Sequence, residues 1–120
     1  MKPSGSMLTS GDVVELDLGS PTGREAGLRR PAVVATAQRL LDASPSVIQI
    51  VPLTLSVRGF DSEVPIDPGV ENGLERRSAA QCQHVRAVSV GRVERVVGNV
   101  GNATLAKIRE VLSLILDILG

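Results

Sequence analysis

The sequence has no Trp and no Tyr, and only one Phe, one Cys and one His in 120 residues. One Cys cannot close an internal disulfide, so a disulfide-stapled fold is excluded and a reducing, cytoplasmic setting is expected. Cys82 and His84 cannot supply the four ligands of a structural zinc site, and no metal or cofactor is expected. The shortage of rings also excludes a surface that stacks many bases on aromatic side chains. Long apolar runs are missing: the most apolar stretch, Val111 to Leu119, is interrupted by Ser113 and Asp117, so no membrane span is expected. Neither charge is in excess, with 13 Lys and Arg against 13 Asp and Glu, which excludes a chain coated in basic residues. No P-loop, Gly-x-Gly-x-x-Gly after a strand, or Gly-x-Ser-x-Gly occurs.

What is present fits one globular domain. Hydrophobic residues make up 42% and charged residues 22%, and the length suits a single core. Residues 1–8 open polar and rich in Gly and Ser, without the apolar segment of a signal peptide. They read as a disordered, tag-like lead to one domain over residues 9–120.

Val13 to Leu18 alternates, with Val14, Leu16 and Leu18 on one side and Glu15 and Asp17 on the other, as in a half-buried strand. Residues 19–30 read as a long loop. Pro31 to Thr36 is a central strand, Gln38 to Leu41 a short helical turn, and Val47 to Val51 a strand whose pairing Pro52 limits on one side. Glu63 to Ile66 is an edge strand because Pro65 cannot donate to a ladder. Asp67-Pro68-Gly69 and Glu71-Asn72-Gly73 are turns. Ser78 to Gln83 and Val85 to Val88 give one or two further strands. At the C-terminus Leu105, Ile108, Leu112, Ile115, Leu116 and Leu119 share one helical face, with Val111, Leu114 and Ile118 as a second stripe. Gly98 and Gly101 mark the break before this helix, and Asn102 is its expected N-cap. The expected class is mainly β (α+β): five to seven short strands in a small barrel, closed or nearly so, with the C-terminal helix over an opening.

The zero net charge hides a pattern. Arg24, Arg29, Arg30 and Arg39 cluster before an acidic middle, and Arg76, Arg77, Arg86, Arg92 and Arg95 follow it. A fold that joins the two clusters would present a phosphate-attracting face, whereas Arg spread over the surface would only be solvated. Arg29-Arg30-Pro31 at a loop–strand junction and Pro52-Leu53-Thr54 at a strand end are the candidate chemical groups. An Arg fork and a hydroxyl can together stabilise charge on a phosphodiester.

Gly11-Asp12-Val13-Val14-Glu15-Leu16-Asp17-Leu18, Pro21-x-x-Gly-x-Glu25, Arg30-Pro31-Ala32-Val33-Val34, Val51-Pro52-Leu53-Thr54 and Ser78 to Val88, followed by the closing helix, resemble in order the MazF/PemK-type toxins of type II toxin–antitoxin modules. The resemblance runs from about Gly11 to Leu119. It implies an SH3-like β-barrel, a homodimer with an RNA groove, and a cognate antitoxin as partner. The implied activity is mRNA-interferase cleavage of single-stranded RNA at a short specific sequence. Metal-independent attack of the 2′-OH would leave a 2′,3′-cyclic phosphate and a 5′-OH. By the resemblance Arg30 and Thr54 are the catalytic pair, and Glu25 lies in the family's loop, where it either orients Arg30 or is an ordinary loop charge. Arg24, Arg29, Arg58 and Arg86 are candidate RNA contacts, and Phe60 is the one candidate stacking ring. The chain departs from relatives in lacking an aromatic near Val14, in carrying Arg24 where some have His, and in carrying Gln83 where several have Asp. An alternative of the same fold is a non-nuclease toxin that binds DNA gyrase, which would not need Arg30 with Thr54. A third is a catalytically dead RNA-binding or antitoxin-titrating protein, suggested by Gln83.

Overall fold

The computed structural model describes residues 7–18 and 29–118. Its elements are β1 (Asp12–Asp17), β2 (Arg29–Val34), α1 (Gln38–Asp42), β3 (Val47–Thr54), β4 (Glu63–Ile66), β5 (Ser78–Gln81), β6 (Arg86–Ser89), β7 (Val93–Asn99) and α2 (Gly101–Ile115). The strands form one antiparallel sheet in the order β4-β5-β3-β2-β1-β7, with β6 on the first half of β3. The fold is therefore mainly β with a C-terminal helix, but the expected barrel does not close. β4 and β7 end the order unpaired with each other. A loop meets the β7 edge instead: the Asn99 N–H donates to the Glu71 carbonyl at 2.8 Å. Any such partner satisfies a sheet edge.

β3 runs through Pro52 because it changes partner there. Its ladder with β6 ends at Ile50 and its ladder with β5 begins at Leu53. Pro52, which has no N–H, occupies the gap between them. β4 is an edge strand, as Pro65 requires.

Both faces of the sheet are covered. Val14, Leu16, Ala32, Val34, Ile48 and Ile50 pack on one side with Leu8 and with Leu41 of α1. Leu8 thus belongs to the ordered domain and not to a disordered lead. Val13, Val33, Val51 and Leu53 pack on the other side with Cys82 and with Ile108 and Val111 of α2. Each fully buried aliphatic side chain of this size contributes roughly 1.5–3 kcal/mol of transfer free energy.

β7 had no counterpart among the expected strands. Gly98 lies inside it, where a Cβ would fall 2.4 Å from the Asn72 backbone, so glycine permits a close approach there. The N-cap also differs from expectation. Asn102 sits inside the first turn; the N-cap residue is Val100, which offers no side-chain cap, and one residue before it Asn99 Oδ1 accepts the Gly101 N–H at 2.8 Å. Gly101, at φ 85°, makes the turn from β7 into α2. α2 ends in a Schellman arrangement, with Ile118 N–H donating to the Ser113 carbonyl, Asp117 N–H to that of Leu114, and Asp117 at φ 54°. Only Leu105, Ile108 and Val111 of α2 are buried; Leu114, Ile115, Leu116 and Ile118 are exposed. No helix among the described residues is long and apolar enough to cross a membrane.

Candidate active-site cleft

The register across the middle of the sheet builds the floor of a cleft. Glu15 of β1 stands between Arg95 of β7 and Pro31 of β2. Leu53 of β3 pairs with Ala80 of β5. Ala32 opposes Pro52 and Val33 opposes Val51, and the same register continued outward sets Thr54 opposite Arg30. The two candidate catalytic residues, well separated in sequence, thus meet at neighbouring strand ends.

The loop after β4 makes the far wall. Asn72 is buried and shapes it: its Oδ1 accepts from Gly69 N–H and Leu74 N–H at 3.0 and 2.9 Å, and its Nδ2 donates to the Asp67 carbonyl at 2.9 Å. Docked on β7 by Gly98 and Asn99, the loop holds Leu74, Glu75 and Arg76 over the sheet. The cleft is open to solvent, measures about 1350 Å³ and is lined by Glu15, Arg29, Arg30, Thr54, Ser56, Glu75, Arg76, Ser78 and Arg95 together with apolar backing from Pro31, Leu53 and Val97. A smaller cavity of about 240 Å³ adjoins it, sharing Arg30, Pro31 and Leu53 and adding Gln81 and Arg86.

Three features give the cleft its chemistry. Among the described residues, Arg30 makes no ion pair, so its guanidinium is available to an anion. Thr54 Oγ1 accepts the Ser56 N–H at 3.1 Å, which orients the hydroxyl and leaves its proton to donate elsewhere. Arg95 grips Glu15 through Nε at 3.0 and 3.1 Å and through Nη2 at 2.8 Å. The hydrogen bonds from Arg95 hold the Glu15 carboxyl below its ordinary pKa against the opposing effect of burial, and the charges of Arg95 and Arg29 add to the lowering. The same pairing raises the Arg95 pKa. Among the described residues no three His, Cys, Asp or Glu side chains converge as metal ligands.

The structure brings together Arg29, Arg30 and Thr54 in the cleft and places Arg86 in the adjoining cavity. Arg58 and Phe60 are exposed in the loop after β3 and line neither space. Their backbone closes that loop: Arg58 N–H donates to the buried Glu63 carboxylate at 3.2 Å, and the Phe60 carbonyl accepts from Glu63 N–H at 3.0 Å. Arg24 and Glu25 lie outside the described residues. Gln83 and His84 are exposed on a single 3-10 turn, Cys82–His84. Arg76 and Arg95 entered the sequence reading only as members of the second Arg cluster, and the meeting of Arg95 with Glu15 escaped it because that meeting depends on pairing the first strand with the last.

The family model described as "PemK-like, MazF-like toxin of type II toxin-antitoxin system" matches residues 9–116. The chain is 33% identical over 119 residues to Endoribonuclease MazF9 of Mycobacterium tuberculosis, covering 93% of this chain and 98% of that protein. Among solved structures, a MazE-MazF complex from Deinococcus radiodurans superposes with TM-score 0.77 at 22% identity, covering 99% of each chain. An endoribonuclease from a mycobacterial species, solved with its cognate antitoxin, superposes with TM-score 0.70 at 19% identity over 92% of this chain and 95% of that one.

Proposed function

The chain belongs to the PemK-like, MazF-like toxin family of type II toxin–antitoxin systems, and on that premise we propose that it is a toxin endoribonuclease cleaving single-stranded RNA in the Arg30–Thr54 cleft. The observation that carries this reading is the convergence of Arg30 and Thr54 on one cleft lined by three further Arg. A gyrase-binding toxin would need no such pair.

In this reading the 2′-OH of one nucleotide attacks the adjacent phosphorus. The 2′-O–P bond forms, the P–O5′ bond breaks, and the products carry a 2′,3′-cyclic phosphate and a 5′-OH. Negative charge grows on the non-bridging oxygens of the phosphorane. Donors already aimed at those oxygens stabilise the transition state more than the ground state. Arg30 supplies a planar fork and Thr54 a hydroxyl proton. Arg is too basic to take the 2′-OH proton, so water or Thr54 shares that role, and a proton returns to the departing 5′-oxygen. The reaction uses no metal, and DNA escapes because it lacks the nucleophile. Cleavage falls at a short specific sequence set by the side chains around the two cavities.

Two copies of the chain would pool their Arg-rich faces in a homodimer, a state supported by the exposed apolar end of α2. An acidic, extended antitoxin segment is the neutralising partner suited to such a surface, and the whole module would act in the cytoplasm. The test is incubation with mixed-sequence RNA in EDTA. The native protein is expected to cleave it, and Arg30→Ala and Thr54→Ala to lose about 10²–10³-fold in rate. Intact RNA, or an R30A variant with native activity, would refute the assignment.

A further inference from the structure

The Glu15–Arg95 pair bridges two adjacent strands, β1 and β7, and both residues line the cleft. Exposed pairs of this kind add little to stability. What this pair achieves is orientation. Nε and Nη2 of Arg95 are turned onto the carboxylate, and among the described residues Nη1 has no hydrogen-bond partner. The guanidinium therefore presents its other edge, formed by Nη1 and the second Nη2 hydrogen, as a fixed donor fork. Lys at this position could not hold a carboxylate on one side and offer a planar fork on the other. Arg29 acts on Glu15 electrostatically, and Arg76 faces the same space from the wall loop.

We propose that Arg95, positioned by Glu15, binds an RNA phosphate other than the one held at Arg30 and Thr54. Arg95 lies on β7, two strands from Arg30 on β2, a backbone separation of about 10 Å that fits a different nucleotide of the same strand. The inference rests on the endoribonuclease reading, and it assigns the far side of the cleft to holding the chain in register.

The test measures binding separately from cleavage, using a fluorescent mixed-sequence RNA with 2′-O-methyl groups throughout, which cannot be cut. Arg95→Ala is expected to weaken binding roughly tenfold and to lower the slope of log affinity against log salt by about 0.7. Glu15→Ala separates orientation from charge: simple charge counting predicts tighter binding when an acid leaves the cleft, whereas loss of the oriented fork predicts weaker binding. Thermal melts of both variants are expected to match the native protein. Native affinity and salt slope in R95A, or tighter binding in E15A, would overturn the proposal. So would a loss confined to an acidic peptide, which would assign Arg95 to a protein partner. A native protein showing the predicted binding pattern without cutting unmodified RNA would refute the nuclease reading and leave the phosphate site standing.

Discussion

At the scale of single residues, the chain separates reactive from inert groups by where the backbone places them. Arg30 and Thr54 were singled out in the sequence by Arg30-Pro31 and Pro52-Leu53-Thr54 together with the family resemblance, but their approach required the β2–β3 register. Glu15 looked like the solvent-facing member of an alternating strand. Its partner Arg95 is 80 residues away, a separation that no local pattern can encode. Cys82 is the opposite case, inert as its type predicted. Its thiol is fully buried near the carbonyls of Ala80 and Ile108, and burial pushes its pKa from 9.0 to about 11. Because the thiolate is the reactive form, Cys82 is expected to resist thiol reagents at pH 8 in the native protein and to react at an ordinary rate in denaturant. The sign of the linkage follows from the raised value: stability from the neutral buried thiol is complete below pH 9 and is lost as pH rises toward 11, by roughly 1–2 kcal/mol. Urea unfolding at pH 8 and pH 10.5, compared with Cys82→Ala, measures it. A pH response identical in C82A would contradict the account.

At the scale of elements, those with strong periodicity were legible and those defined by contact were not. The alternation of β1, the Pro-limited strands β3 and β4 and the presence of α2 could be read directly. Of the expected α2 face, however, Leu105 and Ile108 are buried while Ile115 and Leu116 are exposed, and Val111 of the second stripe is buried instead. β7 could not, because its register with β1 shifts between Val13 and Val14 and again between Glu15 and Leu16, which breaks its alternation, and because Gly98 resembles a terminator. Gly98 is instead required by the approach of the Asn72 backbone. The same misplacement set the expected cap of α2 at Asn102, whereas the N-cap residue is Val100. Asn99 ties this junction together: its Oδ1 accepts the Gly101 N–H, and its Nδ2 donates to the Ser10 carbonyl and to Asp12 at 3.1 Å, joining the helix start to the entry of β1. Asn99→Ala is therefore expected to cost about 1–2 kcal/mol in urea unfolding, with Asn102→Ala within about 0.5 kcal/mol of native. Equal costs at the two positions would contradict the role assigned to the Asn99 hydrogen bonds.

At the scale of the whole molecule, zero net charge coexists with a cleft that gathers Arg29, Arg30, Arg76 and Arg95. Of the acids, Glu15 and Glu75 line the cleft beside four Arg, Glu15 is paired with Arg95, and Asp67 is paired with Arg77. A neutral protein can thus attract a polyanion at one site, and its affinity should fall steeply with salt. On the proposed reading, the scarcity of aromatic rings leaves hydrogen bonding and Arg to hold the bases, and Phe60, the one Phe in a chain without Tyr or Trp, lies outside the cleft. The open sheet is what makes room: had β4 paired with β7, the loop carrying Leu74, Glu75 and Arg76 would have no edge to dock on, and the cleft would lose its wall. The central claim is that this cleft cleaves RNA by using the RNA's own 2′-OH. It is tested most directly by mass spectrometry of the fragments released from a defined single-stranded RNA in EDTA. The account predicts 2′,3′-cyclic phosphate on every upstream fragment and 5′-OH on every downstream one, with neither formed by Arg30→Ala. Fragments bearing 5′-phosphate and 3′-OH ends would contradict it.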